Sequence, residues 1–173
     1  MVRLLLALGA DVSATDATGA TALTVSALAG ADPGVMAALE AAGATLDLVA
    51  ALALARHDVA ERLLAEDPTR LGPAGRDALA LHVLVSRRHV EAVRWLLAHG
   101  ADVNATRVFW DCDQTALHVT AEHGLVELAR LLLNAGADPT IRDGKYEATA
   151  LGWAEYCHQP AIAALLRERG ITC

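Results

Sequence analysis

The 173-residue chain is 54% hydrophobic and 20% charged, which excludes general disorder and supplies enough apolar material for a sizeable core. Its formal net charge is −7 and its fourteen cations, with Lys145 the one lysine, are scattered, so binding to nucleic acid through phosphate neutralisation is disfavoured. No window stays apolar for the ~18 residues of a membrane span, because Arg, Asp, Glu or His interrupts every Leu- and Ala-rich run.

The chain begins with a helix predicted over residues 2–10, carrying Leu4, Leu5 and Leu8 at helical spacing and closed by Gly9. It reads as the second helix of a helix–turn–helix unit whose first helix would precede Met1. Either residues upstream are missing or the protein opens with an exposed helix. An apolar run behind Arg3 could pass for a signal peptide, yet the same pattern returns at Trp95-Leu-Leu-Ala-His-Gly-Ala-Asp102 and Leu131-Leu-Leu-Asn-Ala-Gly-Ala-Asp138. In residues 16–43, Thr21-Ala-Leu-Thr24 opens a first helix and 35–40 form a second. Pro33, in the turn between them, suits the second helix's start.

Residues 45–71 depart from this pattern. Asp47 can cap a helix running to 55, Arg56-His57-Asp58 supplies the turn, and 59–65 form the next helix before Asp67-Pro68. Only three residues separate Gly43 from Asp47, too few for a hairpin, so a nearly direct link between helices is expected. The pattern returns over 75–100, with Leu79-Ala-Leu-His82, a turn at Arg88-His89 and a helix over 90–98. A lengthened loop follows, Thr106-Arg-Val-Phe-Trp-Asp-Cys-Asp113. Next come two helices parted by Gly124 and ended by Gly136, of which the first has a small-residue face around Ala116 and Ala121. The last unit has a loop at Asp143-Gly-Lys-Tyr-Glu147 and helices over 149–157 and 160–169. Arg167, Glu168 and Arg169 give its end polar cover, as a natural C-terminus would have.

Thr115-Ala-Leu-His118, the turn at Gly124, the run Leu131-Leu-Leu133 and Gly136-Ala-Asp138 stand in the order of an ankyrin repeat. The intervals Gly9 to Gly43, Gly100 to Gly136 and Gly136 to Gly170 are 34, 36 and 34 residues, close to that family's period of about 33. Essentially the whole chain resembles a bacterial-type ankyrin repeat protein, and its preference for Ala, Leu and Arg over Lys and Ile suits a GC-rich bacterial genome. It departs from the family at Ala22, Ala80, Ala116 and Ala150, where the motif has proline, a loss of ~0.4–1 kcal/mol each. Leu79 replaces the motif's threonine, and Thr24 and Gly152 replace its histidine. The resemblance implies an all-α solenoid of stacked antiparallel helix pairs with short hairpin-like finger loops. It would be one domain over 1–173, in units of about 1–15 (partial), 16–44, 45–72 (divergent), 73–105, 106–142 and 143–173.

The chemistry-bearing residues have structural explanations. Among seven histidines, His82 and His118 take the family's structural position, where the ring bridges neighbouring repeats. His57 and His89 fall in turns, and His99, His123 and His158 at helix ends, where the dipole favours them. No His-x-x-x-His or Cys-x-x-Cys spacing occurs, so no metal and no cofactor are expected. Cys112, Cys157 and Cys173 are odd in number and unpaired in spacing, which points to free thiols in a reducing, cytoplasmic compartment. Cys157 and His158 are adjacent, a poor geometry for nucleophile and base; thiol reactivity fits better at Cys112, on an exposed finger. Asp111 and Asp113 read as turn-formers and rim charges. Trp95 and Trp153 take apolar helix positions and are expected in the core.

By resemblance, finger tips and first helices line a concave surface that holds protein partners. The finger residues are then Arg107, Phe109, Trp110, Asp111, Asp113, Lys145, Tyr146 and Glu147. Arg87, Glu122, His123 and Tyr156, with Ser86 and Cys157, adjoin them at helix ends. Aromatics make up 3% of the chain, so Phe109 beside Trp110 draws the function to the lengthened finger, unless one of the two folds back. The expected function is non-catalytic binding of a protein partner, with no nucleic acid or membrane involved. The alternatives are a structural or capping segment of a larger repeat polypeptide, self-association through the N-terminal end, and, last, a metal-dependent or thiol enzyme.

Overall fold

Short apolar runs punctuated by glycine give short helices, and helices this short hold only when a face is buried against a neighbour. The computed structural model describes residues 2–16, 19–30, 32–109 and 111–171. Among them, eleven helices and one two-stranded hairpin form two compact units, Met1–Pro68 and Thr69–Cys173.

The first unit contains α1 (Val2–Ala7), α2 (Ala22–Leu28), α3 (Pro33–Ala41), α4 (Leu48–Ala53) and α5 (His57–Glu66). Helix α2 packs on α3 and α4, α4 on α5, and α1 on α3. Leu23, Ala27, Met36, Leu39 and Ala50 make a core that Leu6, Val12 and Leu46 extend. Polar side chains fix the helix starts: the Thr21 hydroxyl accepts from the Thr24 N–H, Asp32 from Gly34 and Asp47 from Ala50. Thr24, which stands where the motif has histidine, donates its hydroxyl to Asp47 and so ties α2 to the start of α4. Residues 44–47 link α3 to α4 without a strand, as their number requires. Helix α5 begins at His57, so His57 and Asp58 lie in its first turn rather than in the expected connection. The reversal falls at Ala55, whose φ is 55°. Leu4 and Leu5 on α1 and Leu8 just after it are exposed, Leu8 at 76%.

The second unit contains α6 (Ala80–Ser86), α7 (Val90–Ala98), β1 (Arg107–Phe109), β2 (Cys112–Gln114), α8 (Ala116–His123), α9 (Val126–Asn134), α10 (Ala150–Tyr156) and α11 (Pro160–Glu168). Helix α8 packs between α6 and α10, and α9 packs against α8 and α11. Ala80, Ala116, Ala121, Ala150 and Ala154 are buried and let the inner helices approach closely, while Leu84, Leu117, Leu132, Leu151, Ile162 and Leu166 fill the layer behind them. Burying each of these larger side chains contributes about 1.5–3 kcal/mol.

A two-beat punctuation runs through both units. Gly30, Ala55, Arg88, Gly124 and His158 take positive φ of 55–66° between the helices of each pair, and Gly9, Gly43, Gly100, Gly136 and Gly170 take 81–96° after the second helix. Ahead of α6, residues 69–79 fold on themselves around a buried ion pair, Arg70 Nη1 to Asp77 Oδ2 at 2.6 Å. Gly75 closes this loop so tightly that a Cβ there would lie 2.2 Å from the Arg70 carbonyl oxygen. The lengthened finger is an antiparallel hairpin pairing Arg107 with Gln114 and Phe109 with Cys112. The following finger is closed by a single bridge between Arg142 and Thr149.

Candidate finger and inner-helix surface

Each finger is fastened to the repeat before it. The His82 Nε2–H donates to the Gln114 carbonyl at 2.8 Å, and the His118 Nε2–H to the Ala148 carbonyl at 3.1 Å. These bonds fix the tautomer and leave Nδ1 as an acceptor. At His118 that acceptor is filled by the Thr115 N–H and hydroxyl, which complete a capping box at the start of α8. At His82, Leu79 occupies the threonine's place in an αR conformation without a cap bond, and Nδ1 has no partner among the described residues. Burial holds both imidazoles below the usual histidine range, His82 at about 4, despite the bonds that favour the charged form.

The second finger is organised by Asp143, which the sequence marks only as the first residue of its loop. The residue is 3% exposed, and its carboxylate accepts from the N–H groups of Lys145 (2.9 Å), Tyr146 (2.6 Å) and Ala148 (3.0 Å), from Trp153 Nε1 (2.9 Å) and from the Cys112 thiol (3.2 Å). Burial works to raise its pKa, and these donors outweigh it and keep the carboxyl well below the usual carboxylate range. The Asp143-Gly144 pair was the available signal, since aspartate before glycine marks a turn in which the carboxylate bonds N–H groups ahead of it.

The fingers also meet each other. The Gly144 N–H donates to the Asp113 carbonyl at 2.8 Å, and Lys145 pairs with Asp111. Lys145 Nζ also lies 5.1 Å from the centre of the Tyr146 ring. From Tyr146 an aromatic strip continues along α10: Tyr146 meets Trp153 edge to face at 5.7 Å, and Trp153 meets Tyr156 likewise at 6.4 Å. Tyr146 is 58% and Tyr156 81% exposed. Trp153 is half-buried, with its N–H held by Asp143, so it belongs to this strip and not to the expected core. Trp95 is half-buried too, stacked on His99 with ring centres 3.7 Å apart.

The remaining predicted residues divide. Asp113 and Glu147 are exposed near the strip, and Glu147 takes a left-handed φ of 52° while its carbonyl accepts from Arg142. Glu122 and His123 are half-buried at the end of α8. The Glu122 carboxylate adds to burial in raising the Cys157 thiol pKa, and its carbonyl accepts from Gln159. Arg87 is exposed after α6, and Ser86 bonds back to the Val83 carbonyl. Phe109 is half-buried and tilted against the His82 ring at 5.8 Å, so it folds back toward α6. Trp110 lies outside the described residues. Arg107 is half-buried, with Nη1 on the Thr106 carbonyl. Cys112 is buried and not exposed as expected, because β2 turns its thiol inward to Asp143. Burial, helped by that carboxylate, pushes its pKa up to about 11. Cys173 lies outside the described residues.

A comparison with curated proteins gave no match. The family model for ankyrin repeats, described as three copies, matches residues 81–173, which carry the finger loops, the histidine bridges and the aromatic strip. With that match spanning more than half of its sequence, the chain belongs to the ankyrin repeat family.

Proposed function

We propose that this protein is a non-catalytic binding module whose protein partner lies across the two fingers and helices α8 and α10. Ankyrin repeats are generally protein–protein interaction modules and generally lack catalytic activity, which supports this class. The observation that carries the reading is the strip of Tyr146, Trp153 and Tyr156, in which both tyrosines are exposed and the Tyr146 backbone and Trp153 indole are fastened to Asp143. Large aromatics supply most binding hot spots, and a rigid scaffold loses little ordering entropy when a partner docks. The contact set consists of Arg107, Phe109, Trp110, Asp111, Asp113, Lys145, Tyr146, Glu147, Arg87, Glu122, His123 and Tyr156, with its weight on the second finger and α10. The odd, unpaired thiols favour the cytoplasm, and no helix among the described residues is long and apolar enough to cross a membrane.

For a partner recovered by affinity capture, replacing Tyr146 and Tyr156 together by alanine is expected to weaken binding by about tenfold or more. Both side chains are exposed, so the melting temperature should hold. Unchanged affinity would remove the strip from the site. The exposed Leu4 and Leu5 of α1, with Leu8 just after it, favour a second reading, self-association through that face. Sedimentation over a concentration series tests it, and a constant monomer mass would exclude it.

A further inference from the structure

We infer that the partner presents an arginine side chain to the aromatic strip, an inference that rests on the binding role proposed above. The interplanar angles are 73° between Tyr146 and Trp153 and 84° between Trp153 and Tyr156. Each contact uses one ring's electropositive edge against a neighbour's electronegative face, while the exposure of Tyr146 and Tyr156 leaves ring surface open to solvent. Such faces attract cations, and the protein already places one there: Lys145 Nζ rests 5.1 Å from the Tyr146 ring centre.

The charges around the strip point the same way. Lys145 is neutralised by Asp111, and Glu155 is paired with Arg167. Asp113, Glu122 and Glu147 remain, three carboxylates that enter no ion pair among the described residues. The cation on the same finger is Arg142, whose guanidinium bonds the Glu147 carbonyl, while Arg87 at the end of α6 and Arg107 on β1 beside His82 belong to the repeat on the far side of α8 from α10. Beside the strip itself, between α8 and α10 and on the second finger, the balance is acidic, like the chain as a whole at −7. An anionic partner would meet repulsion here, whereas a cationic one gains both the ring faces and the carboxylates. Arginine fits better than lysine, because a planar guanidinium stacks on an aromatic face and still offers a fork of N–H donors to a carboxylate.

Panning a random dodecapeptide library on the full chain tests the inference. Enriched peptides should carry arginine. Replacing that arginine by glutamine should weaken binding about tenfold, as should Tyr146→Leu with Tyr156→Leu in the protein, whereas Tyr156→Phe, which keeps the ring, should not. Peptides without arginine that still depend on Tyr146 and Tyr156 would overturn the cation inference and leave the binding surface standing. Peptides indifferent to both tyrosines, or no enrichment at all, would overturn both.

Discussion

Five donors converge on the carboxylate of Asp143. Asp143→Ala leaves four part-buried N–H groups and a buried thiol without their acceptor and should cost about 2–4 kcal/mol in urea unfolding. Two titrations should make stability fall on acidification. His82 has a folded pKa near 4, below its free value; between pH ~6.5 and ~4 the unfolded chain binds the extra proton, and stability falls as pH drops through that window by roughly 3 kcal/mol. Asp143 is depressed, so its contribution is present above the free carboxyl value of ~3.9 and is lost below it. Urea midpoints that stay flat between pH 7 and pH 4.5 would contradict the buried neutral imidazole. Cys112, with its thiol pKa near 11 and its side chain buried, should resist iodoacetamide at neutral pH in the native state and label on unfolding, as read by mass spectrometry.

The helices were the most legible part of the sequence, because apolar spacing and glycine placement act locally. The predicted 90–98 helix matches α7, and Pro33 starts α3. The misplaced turn at 56–58 has a physical cause: Arg56-His57-Asp58 looks polar enough for a connection, but Asp58 suits a helix's first turn and the reversal went to Ala55. Alanine pays for positive φ where Gly30 and Gly124 do not, so Ala55→Gly should raise the unfolding free energy by about 0.5–1 kcal/mol. A fall would mean that the turn is held by something besides its backbone angle. The loop over 69–79 was not legible, since the Arg70–Asp77 pair and the close approach at Gly75 depend on how the chain folds back.

Over the whole molecule, the repeat class was readable because each unit repeats one pattern, whereas the geometry of the candidate site was readable only in part. Rarity of aromatics drew attention to Phe109 and Trp110, but rarity says nothing about where a ring points, and Phe109 turns back to His82. Trp153 looked like core because helical spacing cannot distinguish a buried position from one at the edge of the inner helix. Its indole reaches Asp143 and joins two exposed tyrosines. The solvent-facing placement of Lys145, Tyr146 and Tyr156 was legible, because a polar finger tip and the open end of a short helix stay outside the packed layers. The central claim, that this face binds a protein partner, is tested most directly by hydrogen exchange with and without the captured partner. Protection is expected over the finger at 143–149 and along α10, with α7, α9 and α11 unchanged. Protection confined to those second helices, with the finger and α10 unaffected, would contradict it.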